Sequence, residues 1–144
     1  MKRLIVDTGI WYACYDRTDA NHRYAERILD ILRVSDIIIP FPTLYETVNT
    51  RFAKNRYGQM DGLRSFLTNP RRTYLVDDTA YKERAKVILF ATTGDWKAYS
   101  LVDMIIRLMM EDVSLGPIAV LTFNVGDFAG VNHVEVIDPR LVWA

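Results

Sequence analysis

The sequence lacks the features that mark secreted, membrane-embedded or disulfide-stapled proteins. One cysteine, Cys14, occurs in 144 residues, which excludes an internal disulfide and agrees with a reducing compartment. No apolar run reaches the roughly 18 residues of a membrane span, and no signal peptide is recognisable at the N-terminus. We therefore expect a soluble, cytoplasmic protein that uses no membrane and buries Cys14 in its core.

Motifs of covalent catalysis are also missing. There is no Gly-x-Ser-x-Gly elbow and no glycine-rich phosphate loop, and His22 and His133 lie beside no motif. The formal net charge is zero, so no general attraction to nucleic acid is expected. Residues 51–72 depart from this balance with six basic residues against one acid. Such a zone beside an acidic site suits a polyanion, although a solvated helix face explains each residue equally well.

Strand-like and helix-like segments alternate along the chain, and 144 residues fit a single domain over residues 1–144. Short apolar runs predict buried strands at residues 3–6, 36–39, 73–76, 118–122 and 134–137. Amphipathic or capped segments predict helices at residues 10–16, 19–33, 42–54, 59–67, 79–90 and 100–113. This alternation predicts an α/β fold, a three-layer α/β/α sandwich around a central parallel sheet of four to five strands.

Asp7 directly follows the first predicted strand, after three consecutive branched apolar residues. The carboxyl end of a strand is the edge of an open α/β sheet where ligands usually bind. The structural alternative is that Asp7 or Thr8 caps the helix that begins near Gly9, because both residue types accept a hydrogen bond from an orphan helix N–H. Asp7 alone therefore does not decide between a site and a cap.

Two further acids lie near the starts of predicted helices. Glu46 has no basic residue three or four positions further on, so stabilisation by the helix dipole is its structural alternative. Asp103 interrupts a helix that is apolar almost all round, where a lone carboxylate is costly unless it is paired or bound to metal. Arg107, four residues on, is its alternative partner, but such a pair contributes only about 0.3–0.5 kcal/mol on an exposed helix.

A last polar cluster, from Thr122 to Asp127, follows the fourth predicted strand, although its Asn and Gly residues equally suit a simple turn.

Acids from strand ends and helix starts can meet at one edge of a parallel sheet, where their mutual repulsion requires a cation. Oxygen ligands without a Cys/His cluster favour Mg²⁺ or Mn²⁺ over zinc. Metal-assisted hydrolysis of a phosphodiester bond is therefore predicted. The candidate catalytic acids are Asp7, Glu46, Asp103 and Asp127.

Four stretches carry a family resemblance: the strand that ends in Asp7-Thr8, the PTLYETVN helix with Glu46, the SLVDMII helix with Asp103, and LTFNVGDF after a strand. In this order they resemble the PIN domain in its small VapC-type form, over essentially the whole chain. The resemblance implies a ribonuclease toxin of a type II toxin–antitoxin system. Such a toxin cleaves single-stranded RNA with Mg²⁺ or Mn²⁺, forms a homodimer and is inhibited by a cognate antitoxin protein.

The resemblance also assigns roles to individual residues. It makes Asp7 and Asp103 the principal metal ligands and has Glu46 orient water or a second ion. It further implies hydroxyl groups that orient the carboxylates. These hydroxyls belong to Thr8, Ser100 and Thr122.

One position departs from the family pattern. Family members commonly carry an acid two residues after the threonine, where this chain has Asn124. Asn124 still offers a neutral carbonyl ligand, and Asp127 supplies charge, directly or through water. The number of metal ions therefore stays open.

Contacts with RNA are predicted in the basic zone, at Arg51, Lys54, Arg56 and Tyr57, with Tyr57 as the best candidate for base stacking. The other aromatic residues are expected to pack in the core or in a dimer interface. Two alternatives to a toxin within the PIN fold stay open: an inactive RNA- or protein-binding scaffold, which Asn124 favours, and a nuclease of RNA processing without an antitoxin. A phosphate-receiver domain fits poorly, because no lysine follows the fourth or fifth strand.

Overall fold

The structure is a computed structural model that describes residues 2–48, 59–91 and 99–141. Its strands are β1 (Lys2–Val6), β2 (Ser35–Pro40), β3 (Thr73–Val76), β4 (Ala119–Leu121) and β5 (Glu135–Ile137). They form one sheet in the order β3-β2-β1-β4-β5, and every neighbouring pair is parallel. The first strand of the chain therefore lies in the middle of the sheet.

Helices cover both faces of this sheet. The described helices are α1 (Thr8–Tyr15), α2 (Ala25–Arg33), α3 (Phe41–Thr47), α4 (Gln59–Leu67), α5 (Lys82–Ala91), α6 (Leu101–Glu111) and α7 (Val125–Phe128), with a 3-10 turn at His22–Tyr24. The predicted three-layer α/β/α sandwich is confirmed, with five parallel strands. In the described part of the chain, no helix has both the length and the apolar character that crossing a membrane requires.

Alternate residues of the strands fill two separate cores. On one face, Ile5, Ile38 and Val120 pack with apolar residues of α5 and α6. On the other face, Ile37 and Leu121 pack with residues of α1, α2 and α4. Successive side chains of a strand point to opposite faces, and burial of both faces explains why the strands read as continuous apolar runs.

Cys14 lies in the second of these cores, as predicted. Burial raises the pKa of its thiol to about 12, so the reactive thiolate does not form at neutral pH. In the same layer α4 approaches α1 closely at Gly62, where a Cβ atom would clash with the Tyr15 ring.

The predicted helix over residues 19–33 is wrong in its first half. Carboxylates compete there with the helical backbone: Asp16 accepts a hydrogen bond from the Thr18 N–H, and Asp19 accepts one from the Asn21 N–H. Such local bonds favour turns over a helix. The α-helix consequently begins only at Ala25.

Three other predicted helix ends also differ from the structure. Asp77 accepts a hydrogen bond from the Thr79 N–H in a turn, so α5 begins at Lys82 rather than at residue 79. The helix predicted to end at residue 113 ends at Glu111. The helix predicted to run from 42 to 54 ends at Thr47, and residues 49–58 lie outside the described part of the chain.

Candidate active site

Asp7 lies at the carboxyl end of the central strand and is nearly buried, with 7% of its surface exposed. Its N–H donates to the Leu121 oxygen of β4 at 3.1 Å, so strand pairing continues up to the acid. Its Oδ1 accepts a hydrogen bond from the Thr8 N–H at 2.8 Å and caps α1. The helix cap considered from the sequence is therefore present, and it uses one of the two carboxylate oxygens.

Thr122 binds the other carboxylate oxygen of Asp7. It directly follows β4 and is fully buried, and its hydroxyl donates to Asp7 Oδ2 at 2.8 Å. The same hydroxyl oxygen accepts a hydrogen bond from the Asn124 N–H at 3.0 Å. A chain of hydrogen bonds thus runs from Asn124 through Thr122 to Asp7 across two adjacent strand ends. This contact fixes the direction of the Asp7 carboxylate.

Glu46 lies in the last turn of α3, one residue before the helix ends. Stabilisation at a helix start does not explain this acid, because the C-terminal end of a helix carries the negative end of the dipole. The Tyr12 hydroxyl of α1 donates to the backbone oxygens of Glu46 at 2.8 Å and Thr47 at 3.1 Å, which fixes the end of α3. This role of Tyr12 has no signal in the sequence, since no local pattern connects it with residues 34 and 35 positions away.

Asp103 lies in the first turn of α6 and is half-buried. Burial raises the pKa of its carboxyl group, and hydrogen bonds from Ser100, the N-cap of α6, oppose that rise. The alternative pairing with Arg107 is not formed. Arg107 Nη1 donates instead to the backbone oxygens of Asp127 and Ala129, both at 3.0 Å. An ion pair with Arg107 therefore does not explain why Asp103 lies in an apolar run.

Asp127 lies in the four-residue helix α7 and is half-buried. Burial is the main cause of the raised pKa of Asp7 and of Asp103, and the negative charge of Asp127 adds to both, so Asp127 lies within electrostatic range of these two acids. Asn124 is exposed at the start of the same helix and contacts Thr122 through its backbone. Asn124 and Asp127 are the two candidates for the fourth metal-ligand position, and Asp127 is the one whose charge acts on the other acids.

The pKa values of Asp7, Glu46 and Asp103 are all raised, by burial first and by neighbouring acids in addition. Burial is the main cause that raises the pKa of Asp7; the bond from Thr122 opposes it and the charge of Asp127 adds to it. Partial desolvation raises the pKa of Glu46, and the charges of Asp7 and Asp103 raise it further. The structure therefore brings together the acids that the sequence singled out, at the carboxyl edge of the sheet, although they come from four separate elements.

The donor set fits a hard divalent cation. Its candidates are carboxylates and one amide, the oxygen ligands that Mg²⁺ and Mn²⁺ prefer. Within residues 2–48, 59–91 and 99–141, no three His, Cys, Asp or Glu side chains stand close enough to hold a metal ion directly. Mg²⁺ needs only one or two direct carboxylates and keeps several waters, so the acids suit a mixture of direct and water-mediated contacts. The buried Thr8 hydroxyl, which lacks a hydrogen-bond partner in the described structure, is a further group that such a water would satisfy.

The predicted RNA contacts cannot be placed, because Arg51, Lys54, Arg56 and Tyr57 all lie outside the described residues. One aromatic residue next to a candidate acid in the sequence does not pack in the core. Tyr45, next to Glu46, is 74% exposed and stands edge-on to Phe41, with ring centroids 5.5 Å apart. Trp11, in contrast, is fully buried in the core, as expected.

Comparison with solved structures identifies similar folds. VapC20 from Mycobacterium tuberculosis, a toxin that cleaves the sarcin–ricin loop, superposes with a TM-score of 0.63 over 91% of this chain and 98% of its own, at 21% sequence identity. FitAcB from Neisseria gonorrhoeae superposes with a TM-score of 0.52 over 96% of this chain and 99% of its own, at 15% identity. No protein-family model matches the sequence, and no curated protein matches it significantly. At these identities the similarity shows a shared fold, and the fold is that of the VapC-type PIN domain.

Proposed function

We propose, from the premise that this chain has the fold of VapC-type PIN toxins, that it is a metal-dependent endoribonuclease and the toxin of a type II toxin–antitoxin pair. The observation that carries the proposal is the meeting of four acids at one sheet edge, where desolvation raises the pKa of Glu46 and the charges of Asp7 and Asp103 raise it further. Mutual repulsion disfavours the ionised forms of these carboxyl groups, and a bound cation stabilises the ionised forms. Asp7 and Asp103 would hold Mg²⁺ or Mn²⁺, with Asp127 and Asn124 as further oxygen donors.

A divalent ion in this site would polarise a phosphoryl oxygen and lower the pKa of water, which makes hydrolysis of a phosphodiester bond possible at neutral pH. The protein's own groups supply position and proton transfer. Thr122 keeps the Asp7 carboxylate in one orientation. Glu46, whose pKa is raised by desolvation and by its acidic neighbours, accepts a proton more readily than an ordinary glutamate does. Glu46 therefore serves to orient and deprotonate the attacking water.

The proposed substrate is single-stranded RNA. VapC20 cleaves the sarcin–ricin loop, which supports RNA as the substrate class for this fold. Tyr45 adds support from this chain, because an exposed aromatic ring beside Glu46 offers a surface on which an unpaired base can stack. The basic residues of the zone at 51–72 would neutralise the phosphate backbone.

The proposal includes an antitoxin protein as partner, a homodimeric toxin and a cytoplasmic location. The similarity in fold to FitAcB supports the antitoxin as partner. Single-domain organisation over residues 1–144 belongs to the same proposal. An open reading frame for a small protein directly upstream would support the pairing.

The central experiment compares RNA cleavage by the purified chain with Mg²⁺, with Mn²⁺ and with excess EDTA. Asp103→Asn is expected to keep the fold and to abolish cleavage, together with growth inhibition on expression. Asp30→Asn is the matched control, because Asp30 is an exposed acid in a surface ion pair with Arg33 at 3.3 Å. Full activity of Asp103→Asn, or full activity in EDTA, would contradict the assignment.

Other outcomes separate the alternatives. A folded chain that binds RNA and cleaves none would support the inactive scaffold that Asn124 suggested. Metal-dependent cleavage without growth inhibition would support a nuclease of RNA processing.

A further inference from the structure

We propose that Arg107 is a positioning residue that holds Asp127 within the acid cluster. The proposal rests on the function proposed above and names a residue on which the metal site depends. Arg107 lies on α6, one turn after Asp103, and its Nη1 donates to the backbone oxygens of Asp127 and Ala129, both at 3.0 Å. Its guanidinium carbon also lies 4.9 Å from the centre of the Tyr99 ring, just before the Ser100 cap.

Helix α7 is too short to hold its own conformation. It has four residues, and Asn124 at its start makes no side-chain capping bond. A helix of this length is not stable alone in water, and its last carbonyl groups lack partners within the helix. Arg107 binds carbonyls on both sides of Phe128, and a cation at this end also suits the helix dipole.

Phe128 and Arg107 fix different properties of α7. The Phe128 side chain is fully buried and anchors the helix to the core. The hydrogen bond from the Asn124 N–H to Thr122 holds the start of α7, and the two directed hydrogen bonds from Arg107 to flanking carbonyls hold its end. Because Arg107 and Asp103 share one helix, the two hydrogen bonds from Arg107 also link the position of Asp127 to that of Asp103.

The chain offers a matched control for this arrangement. Arg27 Nη1 donates to the backbone oxygens of Pro139 and Arg140, at 3.0 and 3.3 Å, and its guanidinium carbon lies 5.5 Å from the centre of the Tyr24 ring. Arg27 thus clamps a backbone segment with the same chemistry as Arg107. The segment that it holds follows β5 and carries none of the four acids. Loss of either arginine should reduce stability, but only loss of Arg107 should disturb the acids.

The experiment measures the affinity for Mn²⁺ by calorimetry in the native chain, Arg107→Gln and Arg27→Gln. Arg107→Gln is expected to weaken binding about 10–100-fold, the usual effect of removing a group that orients a ligand. Arg27→Gln is expected to bind Mn²⁺ as the native chain does. Without metal, the backbone amides of residues 125–129 should exchange hydrogen faster in Arg107→Gln and not in Arg27→Gln.

A double-mutant cycle tests whether Arg107 acts through Asp127. In an Asp127→Asn background, Arg107→Gln should cause little further loss of Mn²⁺ affinity. Arg107→Lys should recover part of the affinity, because an ammonium group can reach one of the two carbonyls. If the native chain binds Mn²⁺ and Arg107→Gln binds it with equal affinity, this inference alone is overturned. A native chain that binds neither Mn²⁺ nor Mg²⁺ would overturn the proposed function and this inference together.

Discussion

Replacement of Thr122 by valine tests how the fold supports a buried carboxylate. Valine has nearly the shape of threonine but lacks the hydroxyl, so Asp7 Oδ2 loses a donor at 2.8 Å and the Asn124 N–H loses an acceptor at 3.0 Å. A hydrogen bond to a charged group contributes about 1.5–3 kcal/mol, and a neutral one about 1 kcal/mol. We expect Thr122→Val to lower the free energy of unfolding by about 2–4 kcal/mol at neutral pH.

The size of this loss should depend on pH. The hydroxyl of Thr122 lowers the pKa of Asp7, whose pKa is raised overall by burial, so its loss raises that pKa further. The bond therefore stabilises the charged form of Asp7 in the folded state, and its contribution is present at neutral pH. As the pH falls through the raised pKa, Asp7 becomes protonated and the difference between native chain and variant shrinks.

Thr43→Val is the matched control. Thr43 is also fully buried, but its hydroxyl donates to a neutral acceptor, the Pro40 oxygen, at 2.7 Å. It should cost about 1 kcal/mol at every pH. Urea unfolding of the metal-free native chain and both variants, at neutral pH and in acid, measures these differences. A loss for Thr122→Val that stays constant with pH, or that equals the loss for Thr43→Val, would refute the reasoning.

Three further predictions concern the acids and their surroundings. In the metal-free chain, the free energy of unfolding of Asp7→Asn minus that of the native chain should be greatest at neutral pH. This difference should decrease as the pH falls through the raised pKa of Asp7, and urea unfolding at several pH values measures it. Tyr12→Phe should weaken Mn²⁺ binding several-fold, with about 1 kcal/mol lost in stability, because the hydroxyl that fixes the end of α3 is removed. Tyr45→Leu should weaken binding of a single-stranded oligonucleotide by about 1–3 kcal/mol in fluorescence titration, whereas Tyr45→Phe, which keeps the ring, should bind as the native chain does.

The strands were predictable because their signal is local. Branched apolar runs such as Ile37-Ile38-Ile39 are buried on both faces wherever the sheet is covered, and their position in the chain already indicates parallel strands. The location of Asp7 at a strand end follows from the same signal. The proximity of Asp7 to Thr122 follows in turn, because parallel strands present their carboxyl ends at one edge.

The partners of individual side chains were not predictable in this way. The spacing of Asp103 and Arg107 permits an ion pair, yet Arg107 binds carbonyls that arrive with α7, 20 and 22 residues later. The predicted start of the helix at Asp19 was wrong for a related reason. Asp19 is a good N-cap by type, but it binds the Asn21 N–H in a turn, and only the tertiary structure decides between the two.

The hydrogen bond between Thr122 and Asp7 joins residues 115 positions apart. A nascent chain on the ribosome carries Asp7 and Glu46 long before β4 exists to pair with β1. The central carboxylate thus lacks its Thr122 partner until β4 has been made. The order of synthesis delays assembly of the acid cluster until β4 and α7 have followed the other elements.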